Sequence, residues 1–306
     1  MPDFQLKISV AFIIFNRPDT TERVFAEIAK VKPPKLFVVG DGARANREGE
    51  AAKVAATRAI IDRVDWPCEV LTNFSEINLG CKRRVSSGLD WVFEQVEEAI
   101  ILEDDCLPHP TFFRFCQELL EKYRDDQRVS MVSGDNFQFG YHLNDDSYYF
   151  SNITHIWGWA SWRNRWQHDY DVDLKHWPKI LDEGRVADWV STKAEHDSLI
   201  DTFEKVHQGK IDTWDYQLNF GSRLNGRIAI IPNVNLISNI GFGVGATHTT
   251  GGSELADMIV EEMQFPLKHP EAVFASMSLD RRYFNKFIAI SFYRSMRAKL
   301  VNLIRR

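Results

Sequence analysis

An α/β fold built on a mainly parallel sheet is the class this sequence predicts. Short apolar runs alternate with amphipathic helical stretches through the first hundred residues, and a polar turn follows each run. The chain is also long enough, at 306 residues with 44% hydrophobic content, for one large domain or two smaller ones.

Residues 8–15 read as the first strand. Asp19 followed by Glu22 gives a capping-box-like helix start, and Val24, Ile28 and Val31 mark that helix's buried face. Residues 36–39 form a second strand, 48–64 a helix and 69–71 a third strand. A helix over about 82–97 turns Leu89, Val92, Phe93 and Val96 inward, and residues 99–102 are the fourth strand. This βαβαβαβ order predicts a parallel arrangement with helices on both faces.

The second half is less regular. Thr111–Tyr123 is amphipathic, with Phe112, Phe113, Cys116, Leu119, Leu120 and Tyr123 on one face, and residues 129–132 and 148–150 read as strands. A tryptophan-rich run at 157–162 follows, then helical segments near 178–185 and 190–208. Another helix starts near Thr213 with Asp212 as its N-cap. Residues 228–234 are a strand and 241–252 a glycine-rich loop. The expected organisation is a nucleotide-sugar-binding half over 1–108, an acceptor-binding half of the same domain over 109–252, and a helical basic extension over 253–306.

The net charge of −6 hides an asymmetry: residues 280–306 hold eight Lys or Arg and one Asp, leaving −13 on the rest. An acidic body argues against a nucleic-acid-binding surface. Cys68, Cys81, Cys106 and Cys116 show no CxxC spacing, so reduced thiols in a cytoplasmic protein are expected. The first residues lack a signal-peptide pattern, and no window has the roughly 20 apolar residues of a membrane span.

The turns after the strands carry the chemistry. Strand one ends in Asn16-Arg17, strand two in Gly40-Asp41-Gly42, and strand three leads to Asn78-Leu79-Gly80. The fourth ends in Glu103, Asp104 and Asp105, three successive carboxylates at a position where open α/β sheets bind ligands. Such acids repel one another unless a cation or ordered donors offset them, and a hard divalent cation bridging to diphosphate oxygens accounts for the cluster. A solvated acidic turn is the competing reading. Lys82 and Arg83, at the head of a helix, oppose its dipole and predict a nearby anion; a solvated basic turn is the alternative.

The order of Arg17, Asp41, the Asn-x-Gly turn and Glu-Asp-Asp resembles the GT-A, Rossmann-like fold of nucleotide-sugar-dependent glycosyltransferases. Pro110-Thr111-Phe112-Phe113 after the triplet, the pair Trp214-Asp215 and a strand over 227–232 are similar to the β-1,2-N-acetylglucosaminyltransferase group acting on mannosides. The resemblance covers roughly residues 7–250. It implies that Asp105 binds Mn²⁺ or Mg²⁺, that Glu103 and Asp104 bond the ribose or donor sugar, that Asp41 accepts from the base N–H, and that Arg17 lies near the base or phosphates. It also implies an occupied glycine turn at Gly80. Asp215 is the expected general base for an inverting transfer, with Trp214 shielding the site or stacking on a sugar. A structural Asp in a helix's first turn is the competing reading.

His248, in the glycine-rich loop, is a candidate metal ligand, since many GT-A enzymes place a late His there; an exposed surface His is the alternative. Trp157 and its run line a sugar pocket or belong to the core. The basic, aromatic segment 280–306 either lies on an anionic membrane at the inner face of the cytoplasmic membrane or packs on the acidic body. The function expected is transfer of a sugar from a nucleotide diphospho-sugar, UDP-linked by preference, to a glycan or lipid-linked acceptor. The rivals are a sugar-phosphate nucleotidyltransferase, whose glycine-rich N-terminal signature is missing at Phe15-Asn16-Arg17-Pro18, and a non-catalytic carbohydrate-binding protein on the same fold.

Overall fold

The computed structural model describes residues 4–242 and 254–289. The first half runs β1 (Ser9–Ile14), α1 (Pro18–Val31), β2 (Lys35–Gly40), α2 (Glu50–Ala59), β3 (Glu69–Phe74), α3 (Gly80–Gln95) and β4 (Glu98–Glu103). The second runs β5 (Cys106–Pro108), α4 (Thr111–Tyr123), β6 (Val129–Ser133), β7 (Tyr148–Ser151), β8 (Trp159–Trp162), α5 (Arg163–Asp169), α6 (Trp177–Asp182), α7 (Lys193–His207), α8 (Asp215–Leu224), β9 (Ile228–Pro232), β10 (Ile237–Asn239) and α9 (Met277–Tyr283). A π-helical turn, Phe284–Ala289, continues α9.

Eight strands form one sheet in the order β3-β2-β1-β4-β8-β6-β9-β7, so both halves of the chain share it. β1 pairs in parallel with β2 and β4, β2 with β3, and β6 with β9. β8 is antiparallel to both β4 and β6, and β7 is antiparallel to β9. Two antiparallel steps around β8 return β6 to the direction of β4. The carboxyl ends of β1, β2, β3, β4, β6 and β9 therefore lie at one edge, together with the start of β8. That edge is where ligands bind in open α/β sheets.

The strands are apolar throughout because helices cover both faces. In β1, Val10, Phe12 and Ile14 pack with α1 and α4, through Val24, Ile28, Phe112 and Leu119. Ala11 and Ile13 point to the other side, against Val85, Leu89, Val92 and Phe93 of α3. A separate cluster of Trp177, Ile180, Phe203, Val206 and Phe220 joins α6, α7 and α8. Gly221 fixes the seat of α8 on α5, because a Cβ there would overlap the Asp169 carbonyl oxygen.

Local chemistry changes three expectations. Arg17 is the N-cap of α1 with Pro18 in its first turn and no side-chain cap, so Asp19 and Glu22 form no capping box. Proline supplies the start instead, its fixed φ already helical. Helix α8 begins at Asp215, and Asp212 bonds elsewhere. The tryptophan-rich run is strand β8, whose Trp159 and Trp162 are buried on opposite faces.

Candidate active site

β1 and β4 run side by side with Ile13 opposite Glu103, so Arg17 and the acidic triplet emerge together. Arg17 bonds the Asp105 carboxylate through Nη1 and stands 3.8 Å from Asp104. Asp104 is buried and accepts the Phe15 amide at 2.8 Å. Burial disfavours the Arg17 charge, but Asp105 and Asp104 outweigh it and raise the guanidinium above its usual value. Burial, then repulsion from Asp105 and Asp104, pushes Glu103 up to about 8. Burial and then Asp105 push Asp104 up to about 7. Gly241 presses its backbone onto the Arg17–Asp105 pair, where a Cβ would collide with both side chains.

Asp41 has a full set of partners at the next turn. It accepts from the amides of Gly42 at 2.9 Å, Leu79 at 2.9 Å and Gly80 at 3.1 Å, and from Asn78 Nδ2 at 2.9 Å. The carboxylate thus holds the loop after β3 against the loop after β2. Gly80 sits at φ +79°, a left-handed conformation that favours glycine.

The anions expected beside the head of α3 are the protein's own. Asp212 accepts the Lys82 amide at 3.2 Å. Asp173 takes Lys82 Nζ at 3.3 Å and Arg83 Nη2 at 3.0 Å. Lys82 and Arg83 thus brace the segment before α6, with the Arg83 side chain still largely exposed. Cys81, beside them, has its thiol pushed up by burial and then by Glu103, Asp215, Asp212 and Asp105. That one sulfur feels all four carboxyls marks where α3, α8 and the β4 rim converge.

Asp215 opens α8 and accepts the Thr213 hydroxyl. It raises Glu103 by its charge and also lines a cavity of about 310 Å³, so it stands between acidic rim and cavity. Trp214, expected at the sugar, is instead 2% exposed and stacks on Trp159 with centroids 5.6 Å apart. Tyr170 bonds the Trp214 carbonyl and stacks on Trp166 at 4.0 Å, so this aromatic row is the floor beneath the site. Trp157 does reach the cavity, edge-on to Phe137 at 5.1 Å and to Phe242 at 5.7 Å.

Two cavity residues were not singled out from the sequence. Asp135 follows β6 in Ser133-Gly134-Asp135, and reading the turn after that strand like the four before it would have found it. Burial pushes Asp135 up to about 7. Ser133 Oγ lies 2.8 Å from both the Asp135 carboxyl and the His155 carbonyl. One hydroxyl hydrogen serves one acceptor, so the set closes when Asp135 is protonated and donates to Ser133. His155 sits between Phe137 and Tyr283, at 4.8 and 4.7 Å, and burial pulls it down to about 3.

The triplet offers carboxylate oxygens, the donors that Mn²⁺ and Mg²⁺ prefer, and burial followed by mutual repulsion raises Glu103 and Asp104. A hard divalent cation fits that donor set. Among the described residues no group of three or more His, Cys, Asp or Glu is placed to hold a metal ion. An open site completed by substrate phosphates suits these ions, which need one or two carboxylates from the protein. His248 and residues 290–306 lie outside the described residues.

No family model and no curated protein matches the sequence. Among solved structures, the chain is similar to residues 1–349 of S. aureus TarS, at 10% identity and TM-score 0.36, covering 74% of this chain and 58% of that one. It thus spans a little over half of that structure. It is also similar to the galactosyltransferase LgtC in complex with donor and acceptor sugar analogues, at 11% identity, TM-score 0.34 and 70% coverage of each chain. UDP-glucose pyrophosphorylase complexed with UDP-glucose gives 10% identity, TM-score 0.34, and coverage of 74% and 90%. Overlaps this loose transfer no residue role.

Proposed function

We propose that the chain is a glycosyltransferase that uses a nucleotide diphospho-sugar, with UDP as the preferred nucleotide and a GT-A-like site at the carboxyl edge of its sheet. The observation that carries this reading is the placement of Asp215, whose charge is felt at Glu103 of the acidic rim and which lines a half-open cavity. A base there is positioned to take the proton of an acceptor hydroxyl, while the departing diphosphate lies along the β1–β4 rim.

Asp105 would hold Mn²⁺ or Mg²⁺, with Arg17 adding a second positive centre for phosphate oxygens. The cation would neutralise charge on the leaving diphosphate. Glu103 and Asp104 would accept from ribose or donor-sugar hydroxyls, and Asp41 would keep the Asn78–Gly80 loop in place beside them. Asp215 at the opposite side makes direct displacement with inversion the mechanism; a product with the donor's configuration retained would count against it. Ligands of the native state raise its melting temperature. At 100 times its dissociation constant, UDP with Mn²⁺ should add about 2.7 kcal/mol. Asp105→Ala should lose the manganese-dependent part of that shift. No response to UDP-, GDP- or dTDP-sugars, with or without Mn²⁺, would sink the reading.

The acceptor side is proposed to face an anionic membrane. No helix among the described residues is long and apolar enough to cross a bilayer. The contact would be peripheral, through the basic segment 280–306. Liposomes containing anionic lipid should carry the full chain upward in a flotation gradient and leave a chain ending at residue 289, which keeps the Asp280 anchor, behind. Equal flotation of the two would remove the proposal.

A further inference from the structure

A sugar-binding cavity needs polar groups turned towards the ligand, and the charged side chains around the cavity beside Asp215 are largely committed to the protein. Asp280 accepts from Ser151 and from both the amide and side chain of Asn152, at 3.0 and 3.1 Å for the latter two. Glu195 takes the amides of Ser191 at 3.1 Å and Thr192 at 3.0 Å to cap α7. Arg223 donates to Asn219 Oδ1 at 3.0 Å and to the Trp189 carbonyl at 3.1 Å. Asp135 is closed off with Ser133 and the Trp157 amide. The rest of the lining is mainly apolar, with Ile153, Ile156, Trp189, Leu199, Phe284 and Ile288 alongside the hydroxyls of Ser198, Thr202 and Tyr216.

The wall made by α9 and its π-helical extension has a second face with a matching character. Phe287 there contacts Phe137 and Phe139, at 6.1 and 5.6 Å. Lys286 Nζ lies 3.6 Å over the Phe139 ring, and the Arg282 guanidinium lies 4.6 Å over Tyr141. Phe139, Tyr141 and Leu143 are exposed. Aromatic and aliphatic side chains interleaved with cations suit the boundary between headgroups and acyl chains.

We infer that the acceptor is amphiphilic and that its apolar aglycone, a hydrocarbon chain, lodges in this cavity with the reacting hydroxyl at Asp215. The inference rests on the glycosyl-transfer reading above and names the acceptor class for that same site. A volume of about 310 Å³ is at the small end of ligand pockets, enough for part of a chain rather than a whole lipid.

The test is binding of methyl, butyl, hexyl and octyl glycosides of one sugar, below their micelle concentrations, read by calorimetry. A p-nitrophenyl glycoside separates an aryl aglycone from an alkyl one. Affinity should rise about fourfold per added methylene until the cavity is full. Leu199→Trp and Ile156→Phe, each checked for a cooperative melt, should flatten that rise. Equal affinity for methyl and octyl glycosides overturns the inference, as does an unchanged rise in both filled variants, which marks detergent-like binding elsewhere. A p-nitrophenyl glycoside that binds while octyl does not overturns the hydrocarbon assignment. UDP-sugar binding is read separately. A chain-length rise without any donor response supports the apolar cavity and overturns the glycosyl-transfer reading instead.

Discussion

Asp215→Asn should lower turnover by about 10²–10⁴-fold while leaving donor affinity nearly unchanged. The amide keeps an oxygen for the Thr213 hydroxyl, so that side-chain bond at the start of α8 is retained. What it loses is the capacity to accept a proton. Release of nucleotide from a UDP-sugar, with water or an alkyl glycoside as acceptor, measures the change. A fall in donor affinity with turnover preserved would assign Asp215 to binding. Full activity would remove it from the reaction and favour the reading of a structural acid at a helix start.

The second large effect concerns stability and pH. Asp135 is raised to about 7 from 3.8, so its contribution is complete below pH 3.8 and is lost as pH rises through 7. His155 is lowered to about 3 from 6.5, so it costs nothing above pH 6.5 and destabilises as pH falls from there towards 3. Between about pH 4 and 6.5 the two slopes oppose each other, each worth about 1.4 kcal/mol per pH unit. The pair nearly cancels in the wild-type chain. Asp135→Asn should therefore make stability fall on acidification below pH 6.5, relative to wild type. His155→Phe should make it fall as pH rises from 4 to 7. Denaturant melts across that range check both, and parallel curves for all three proteins would show that neither group is held as described.

Much of the fold is legible because strand and helix periods differ and the first half obeys them. β1 through β4 and their helices fall within a few residues of expectation, as does α4, whose apolar face is continuous. The capping box of α7 also forms where the local sequence asks for it. β8 was hidden because Trp-Gly-Trp-Ala-Ser-Trp, buried on both faces, carries no alternation to read. β5 and β10 are three residues each, below what periodicity detects, and exist because they pair with each other.

The site was legible at its rim, where turn residues follow regular strands, and illegible wherever partners come from far along the chain. Arg17 and the triplet could be placed together from strand order alone. That Asp212 and Asp173 serve the head of α3 depends on contacts 130 and 90 residues away. Trp214 illustrates the same limit. Its position beside Asp215 suggested a sugar platform, but a helix start sends neighbouring residues in different directions, and this one points into the aromatic floor.

The anchoring of α9 has a consequence for biosynthesis. Asp280 reaches back 129 residues to Ser151, and closing a loop of that length is slow compared with forming the local βα units. The sheet's first half can assemble while the polypeptide is still emerging from the ribosome, but the hollow beside Asp215 gains its last wall only after residue 280 has been made. Nascent chains therefore pass through a stage with a formed β1–β4 rim and an unroofed greasy cleft, the stage at which chaperone contact would matter most.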